Sequence, residues 1–220
     1  QKTAYEIRPR DWSSDVCSSD LNIGSGKTTL AKKLSERLNF NFIGEEFEEN
    51  PFLPLFYAKP EEFAFPLEFS FLLDRARQLK RLDPCFNYVS DYLIQKSLWF
   101  ASTNLKSSDL KAYSDLFPKV ASITPEPTLV VFLHLPLKLV KANIISRGRD
   151  YEKEINEDYL HSLNEKYLSE AVQIGKKTNV LNFVLASNSA ETYDLVAEKV
   201  FHFMENLPLT VSGIQEFKVG

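Results

Sequence analysis

Apolar positions along the chain follow two patterns, one with the spacing of a helix and one in which apolar residues follow one another almost continuously. Leu30, Leu34 and Leu38 recur at intervals of four, which predicts a helix over residues 27–38 with a single apolar face. Residues 128–135 form a mostly apolar run of the kind that a parallel strand needs when helices cover both of its faces. Such segments alternate along the chain, which predicts an α/β fold with right-handed crossovers and a ligand site beyond the carboxyl ends of the strands.

The remaining elements are predicted from the same periodicity. Pro60 and Pro66 each suit the first turn of a helix, where a missing N–H removes no hydrogen bond, so we expect a bent pair of helices with the second one starting at Pro66. The other predicted strands cover residues 40–44, 87–92 and 180–186. The later predicted helices cover residues 66–82, 93–102, 109–120, 137–146, 157–176 and 190–207.

A short glycine-containing run at the start of the first helix carries the strongest chemical signal. Residues 22–29 read Asn-Ile-Gly-Ser-Gly-Lys-Thr-Thr, which is typical of a loop whose backbone N–H groups surround phosphate oxygens at a helix N-terminus. In such a loop the lysine reaches the β- and γ-phosphates, and the following threonine hydroxyl ligates Mg²⁺. The predicted nucleotide-binding residues are Asn22, Ile23, Gly24, Ser25, Gly26, Lys27, Thr28 and Thr29.

The segment before this loop departs from the expected pattern. The complete motif has a glycine where this chain has Leu21, and a buried apolar strand should precede it, whereas residues 12–20 are polar and typical of turns. Residues 1–21 resemble the translation of a sequencing adaptor, so we expect a native domain over residues 22–220 whose first strand is missing or replaced. A native polar arm is the alternative. Leu21 and a lost strand predict weak ATP binding and reduced stability.

Composition excludes several classes of function. The chain is 44% hydrophobic and 25% charged with a net charge of −4, which suits one globular domain and argues against polymeric nucleic acid as a partner. Its two cysteines, Cys17 and Cys85, offer neither a disulfide framework nor zinc-ligand spacing. No apolar run is long enough to cross a bilayer, and no signal peptide is readable. We therefore expect a cytoplasmic protein with no membrane partner.

Charged residues suited to phosphoryl transfer follow two of the predicted elements. Glu45 comes directly after the strand predicted at residues 40–44, where a carboxylate would orient an acceptor hydroxyl and take its proton. Arg147 and Arg149 flank a glycine after a predicted helix. Together they would form a mobile clamp for phosphate, with a lid over about residues 147–155.

A third pair of charged residues lies on the helix predicted at residues 66–82. Glu68 and Arg75 are nearly two helical turns apart, so both side chains emerge on one face about 10 Å apart along the axis. This spacing suits the binding of a flat ring. An internal surface pair is the alternative.

These residues, in this order, resemble the deoxynucleoside kinase family, whose members phosphorylate the 5′-hydroxyl of deoxynucleosides. The resemblance covers about residues 22–186 and implies a three-layer α/β/α P-loop kinase fold with a central parallel sheet of about five strands. It also implies ATP and Mg²⁺ as cofactors, a deoxynucleoside substrate and a homodimer. The motifs that carry it are residues 22–29, Glu45, Asn50-Pro51, Phe56-Tyr57, Phe63-Ala64-Phe65, Arg75, and Arg147-Gly148-Arg149 with Glu152.

The resemblance implies a role for each matching position. Glu45 matches the general base for the 5′-hydroxyl. The implied catalytic residues, which act on the acceptor hydroxyl or the transferring phosphate, are Glu45, Arg147 and Arg149. The implied substrate-binding residues, which contact the sugar or the base, are Tyr57, Phe65, Glu68, Arg75 and Glu152. The implied metal-binding residues are Thr28 and Asp91.

The chain departs from the family pattern at two cationic positions. The usual Asp/Glu-Arg-Ser after the third strand is replaced by Ser90-Asp91-Tyr92, so its phosphate-binding arginine is absent. Asp91 would either hold Mg²⁺ through water or cap the turn into the next helix. An arginine one turn before Arg147 is replaced by Asn143, with Lys141 as a nearby substitute, which predicts a weaker lid.

Glu68 stands where the family commonly has a glutamine, which bears on the preferred base. An ionised glutamate offers only acceptors, and guanine presents two adjacent donors, so we predict a preference for deoxyguanosine unless Arg75 neutralises Glu68.

Two rival functions stay open. One is a nucleoside monophosphate kinase of thymidylate-kinase type, and the other is a catalytically silent nucleotide-binding protein, which Leu21 and Tyr92 suggest.

Overall fold

The computed structural model of the protein describes residues 16–20, 24–47, 49–149, 155–206 and 213–219. Its strands in these ranges are β1 (Val16–Asp20), β2 (Asn41–Ile43), β3 (Tyr88–Ser90), β4 (Leu129–His134), β5 (Asn179–Leu185) and β6 (Gly213–Val219). They form one sheet in the order β2-β3-β1-β4-β5-β6, and all pairings are parallel. The predicted α/β fold with a central parallel sheet is confirmed.

Helices connect the strands. Those in the described ranges are α1 (Lys27–Leu38), α2 (Phe52–Ala58), α3 (Pro60–Lys80), α4 (Lys96–Asn104), α5 (Ser107–Ala121), α6 (Leu137–Arg147), α7 (Glu157–Ile174) and α8 (Ala190–Glu205). The first of them begins and ends at the predicted residues. None of them combines the length and the apolarity that a membrane span requires.

The first strand corrects one expectation. Instead of leaving a gap, β1 lies between β3 and β4, with Ser18 in register with Ser90 on one side and Val130 on the other. A missing strand is therefore wrong, and a replaced strand fits. The physical reason is that ladder hydrogen bonds come from backbone groups, which any residue except proline supplies in full.

Helix α3 corrects another expectation. Pro66 lies inside this single long helix, whereas we expected a new helix to start there. A proline inside a helix costs about 3 kcal/mol. The buried side chains of Ala64, Leu67 and Leu72 on the same helix offset that cost, because fully burying one leucine contributes about 1.5–3 kcal/mol.

Two elements have no counterpart in the prediction. Helix α2 is short, and its sequence, Phe-Leu-Pro-Leu-Phe-Tyr-Ala, is apolar throughout, so it has no alternation of apolar and polar positions from which periodicity predicts a helix. Strand β6 lies beyond the last predicted element and pairs in parallel with β5 at the edge of the sheet. Its residues are mostly exposed, so the buried run typical of a central parallel strand is absent.

Packing in the hydrophobic core positions the first helix against the sheet, near the carboxyl ends of the strands. All residues of β4 are buried, and Trp99 of α4 packs edge-on against Tyr167 of α7 with ring centroids 5.0 Å apart. Leu30 and Leu34 of α1 are fully buried in the same cluster. This packing holds the start of α1 beside the ends of β2 and β3, where the functional residues lie.

Leu34→Ala should lower the free energy of unfolding by about 2–5 kcal/mol, because the deleted methyl groups leave a cavity between α1 and the sheet. Urea titration followed by circular dichroism measures this change. Leu73→Ala is the matched control, because Leu73 is 48% exposed and its truncation should cost less than about 0.5 kcal/mol. Equal losses in the two variants would contradict the packing described for α1.

Candidate active site

A single cleft of about 1460 Å³ opens where α1, β2 and β3 meet. It brings together most of the residues singled out from the sequence. The predicted site residues that line it are Gly24, Ser25, Gly26, Lys27, Thr28, Thr29, Glu45, Tyr57, Glu68, Arg75, Asp91, Arg147 and Arg149. Asn22, Ile23 and Glu152 lie outside the described residues, so their predicted roles stay predictions.

The loop before α1 has the backbone conformation that a phosphate cradle needs. Gly24 and Gly26 have φ values of 81° and 84°, which L side chains rarely adopt. The hydroxyl of Tyr193, on α8, donates to the Ser25 carbonyl at 3.2 Å. A Cβ at position 26 would overlap that tyrosine ring. The loop is therefore closed from behind by the C-terminal helix.

Asp91 connects this loop with the segment after β2. Its Oδ2 accepts a hydrogen bond from the Thr28 hydroxyl at 2.5 Å, and its Oδ1 accepts one from the Glu45 backbone N–H at 2.8 Å. Thr28 and Asp91 thus present adjacent oxygen ligands, the type that Mg²⁺ prefers when phosphates and waters complete its shell. Within the described residues, no cluster of three or more His, Cys, Asp or Glu side chains offers an all-protein metal site.

Two cations hold the carboxylate of Glu45. Arg75 donates to its Oε1 through both Nε, at 2.8 Å, and Nη2, and Lys96 donates to its Oε2 at 2.7 Å. Burial alone would raise the pKa of Glu45, but the positive charges of Arg75 and Lys96 outweigh burial and hold the pKa well below its usual range. Glu45 is therefore a carboxylate at any physiological pH.

The sequence did not single out Lys96. It follows β3 at the start of α4, and its side chain is buried within the cleft. The available signal was a lysine four residues after the departure at Tyr92, in a segment that is apolar on either side of Gln95-Lys96-Ser97.

Glu68 and Arg75 are both buried, and no hydrogen bond or ion pair described for them joins the two, so they do not form the surface pair that was the alternative. Arg75 instead contacts Glu45 and donates to the Ser97 hydroxyl at 2.6 Å. Glu68 accepts from the Asn104 side chain at 2.7 Å through Oε1, while its buried Oε2 has no hydrogen-bond partner among the described residues. Burial is the main reason that its pKa rises to about 7.

Phe65 lies away from the cleft. Its ring packs against Phe69, with centroids 5.6 Å apart, in the second core cluster under α3. Stacking of Phe65 on a base stays a prediction, and this packing does not favour it. Phe71, almost two turns later on α3, lines the cleft, and the Arg75 guanidinium lies over its ring at 5.0 Å. Periodicity places both rings on the helix but does not distinguish which one faces the cleft.

The two arginines of the expected lid lie at the end of α6. Gly148 ends the helix with a left-handed φ of 71°, and the Arg149 guanidinium lies over the Phe47 ring at 4.3 Å. Asn143 donates to the Gly24 carbonyl at 2.7 Å and accepts from Asn188 at 2.6 Å, so a neutral amide contacts the phosphate loop where the family pattern has an arginine.

Lys141 does not take over that missing charge. It pairs with the exposed side chain of Glu157 and does not line the cleft. The expectation that Lys141 substitutes for the arginine is therefore wrong.

The sequence profile of the deoxynucleoside kinase family matches residues 19–207. The chain belongs to this family. It is 35% identical to the deoxyguanosine kinase of Bacillus subtilis over 150 residues, which cover 66% of this chain and 72% of the relative. It is 31% identical to the deoxyadenosine kinase of Lactobacillus acidophilus over 141 residues, which cover 60% and 66% of the two chains.

The fold of this kinase also has solved counterparts. Deoxyadenosine kinase from M. mycoides with bound products superposes with a TM-score of 0.75 at 23% identity, covering 88% of this chain and all of the other. The same enzyme with bound dATP gives a TM-score of 0.73, and the superposition covers 85% of this chain and 99% of the other. These likenesses confirm the P-loop kinase fold.

Gly26→Ala should weaken ATP binding by about 100-fold, since left-handed strain and overlap with Tyr193 together cost about 3 kcal/mol. Isothermal titration calorimetry with Mg-ATP measures the loss. Gly213→Ala, far from the cleft and with open space around the added methyl, should bind ATP as the unchanged chain does. Unchanged affinity in Gly26→Ala would contradict the loop geometry.

Proposed function

We propose that this kinase transfers the γ-phosphoryl group of ATP to the 5′-hydroxyl of a deoxyribonucleoside. One observation carries the proposal: the glycine loop with Lys27, the Glu45 carboxylate and the two arginines 147 and 149 line one cleft. A donor phosphate, an acceptor hydroxyl and cations for the charge that develops between them are thereby available at one place.

The reaction requires little of the protein beyond placement and charge. The 5′-hydroxyl oxygen attacks the γ-phosphorus, the bond from that phosphorus to the β–γ bridging oxygen breaks, ADP leaves, and the hydroxyl proton passes to Glu45. Because its pKa is held low, Glu45 is a weak base. A weak base suits a loose transition state in which the hydroxyl loses its proton late, as the new bond forms.

Thr28 and Asp91 are the residues that would hold Mg²⁺. When bound, the metal neutralises the β- and γ-phosphates. The Thr28 hydroxyl and the Asp91 carboxylate fit such a role because both are oxygen donors and the backbone N–H of Glu45 fixes the carboxylate.

The nucleoside end of the cleft contains polar groups suited to a sugar and a base. Tyr57 lines it, in line with its proposed contact with the 3′-hydroxyl. Glu68 offers a buried oxygen whose hydrogen-bonding capacity is not used within the described residues, and a base edge would use it. Ionised, Glu68 accepts from guanine N1–H and the 2-amino group. The name of the Bacillus subtilis relative, deoxyguanosine kinase, agrees with this preference.

A nucleoside monophosphate kinase would need further cations to bind the acceptor phosphate. The groups facing Glu45 in the cleft, Arg75 and Lys96, are already paired with that carboxylate, which favours an uncharged acceptor.

We also propose a homodimer and a cytoplasmic location, as the family resemblance and the cysteine content suggest.

The unchanged chain should phosphorylate at least one of four deoxynucleosides with Mg-ATP and none of their monophosphates, measured by coupled ADP release. Glu45→Gln should lower kcat by at least about 100-fold, because the proton acceptor is lost. Glu61→Gln, whose side chain is 84% exposed and pairs only with Lys106 among the contacts described, is the matched control and should leave kcat unchanged. Turnover of monophosphates but not nucleosides would favour the rival kinase, and turnover of neither would favour a silent protein.

The preferred base should depend on pH. Because the pKa of Glu68 is raised to about 7, its carboxyl group is mostly protonated at pH 6 and mostly ionised at pH 8. A protonated carboxyl offers one donor and one acceptor, which suits adenine, whereas the ionised form suits guanine. The ratio of kcat/KM for deoxyguanosine to that for deoxyadenosine should therefore rise from pH 6 to pH 8.

Glu68→Gln is the control for this dependence, since an amide does not titrate. In this variant the ratio of kcat/KM for deoxyguanosine to that for deoxyadenosine should not change between pH 6 and pH 8. Relative to the unchanged chain, transition-state binding should shift toward deoxyadenosine or deoxycytidine by about 1–3 kcal/mol. A ratio that rises equally in Glu68→Gln would assign the pH dependence to another group.

A further inference from the structure

Lys96 is the first residue of α4, and its ammonium group lies 2.7 Å from Oε2 of Glu45. Only 7% of the residue is exposed. The ammonium also lies over the Phe100 ring at 5.4 Å, which shields it from one side. It therefore faces the cleft from a position that water reaches poorly.

This position is unfavourable for a lysine on structural grounds alone. Burial disfavours a charged ammonium, and the positive end of a helix macrodipole disfavours a cation at the first turn. Arg75 already balances the single negative charge of Glu45. Lys96 adds a positive charge that the neutralisation of Glu45 does not require, and this charge suits the phosphoryl group that is transferred from ATP to the uncharged acceptor.

The two oxygens of Glu45 differ in the bonds that they accept. Oε1 accepts two N–H groups of Arg75, which use both of its lone-pair positions, whereas Oε2 accepts one bond from the described part of the chain, that of Lys96. One lone pair of Oε2 is left for a further donor. In the reaction proposed above, the acceptor hydroxyl is suited to be that donor, which would make Oε2 the atom that receives its proton.

We propose that Lys96 is a positioning residue for the reaction, which holds Oε2 of Glu45 toward the acceptor hydroxyl and supplies the positive charge of the arginine replaced by Tyr92. Tyr92 occupies the position of that arginine after β3, and Lys96 follows four residues later, where α4 begins. The inference rests on the proposed kinase function, because the bond formed and the proton moved are those of that reaction.

The test compares Lys96→Met, Lys96→Arg and the unchanged chain with Mg-ATP and the best nucleoside. Lys96→Met should lower kcat by about 100-fold with KM for the nucleoside changed less than about threefold, and Lys96→Arg should retain kcat within about tenfold.

Two controls keep the result independent of folding. The concentration of active protein is counted by ATP titration, so a misfolded fraction does not enter kcat. Lys106→Met removes an exposed lysine, 74% accessible, and should leave kcat unchanged.

A kcat for Lys96→Met within threefold of the unchanged chain would overturn the inference while leaving the kinase function intact. So would a Lys96→Arg variant as slow as Lys96→Met, because positive charge would then not be the property that matters. If the unchanged chain phosphorylates no nucleoside, the proposed function fails, and the role of Lys96 fails with it.

Discussion

The carboxylate of Asp91 holds the two parts of the cleft together. One oxygen accepts from the Thr28 hydroxyl at the start of α1, and the other accepts from the backbone N–H of Glu45 after β2. Asp91 directly follows β3, which pairs with β1 and β2. The end of this one strand therefore positions both the phosphate loop and the segment that bears Glu45. The fold thus sets the distance between the phosphate loop and the catalytic carboxylate of Glu45 through a single residue.

Charge around Glu45 is arranged in an unusual balance. Isolated burial of a carboxylate is costly, and breaking a buried pair by removing one partner commonly destabilises a protein by about 3–5 kcal/mol. Here two cations from different helices, α3 and α4, contact the same carboxylate, whereas Glu68 nearby has only the amide of Asn104 among the described hydrogen bonds. Both glutamates are buried, but the two hydrogen-bonded cations keep Glu45 ionised, whereas burial leaves Glu68 close to its titration midpoint at neutral pH.

Much of the fold was predictable because its elements carry local signals. The glycine loop, α1 and the continuous run of β4 follow from spacing and apolar content alone. The first strand was not predictable from composition, because its pairing depends on backbone groups and on neighbours far away in sequence. The helix start predicted at Pro66 was wrong for a similar reason. Burial of one face of α3 outweighs the local preference of proline for the first turn of a helix.

For the site, the sequence predicted residue types better than pairings. Glu45 and Arg75 were each singled out, but their contact joins residues 30 positions apart and depends on how α3 lies against β2. The contact of Lys96 with the same carboxylate likewise joins residues 51 positions apart.

The contact of Tyr193 with the phosphate loop has a consequence for synthesis of the chain. The loop lies near the N-terminus, yet the hydroxyl that supports it from behind belongs to α8, separated by 168 positions. A nascent polypeptide therefore lacks this support for nucleotide until α8 has emerged from the ribosome. Folding of the ATP cradle is in this respect a late, long-range event, of the kind that slows folding through the entropy of loop closure.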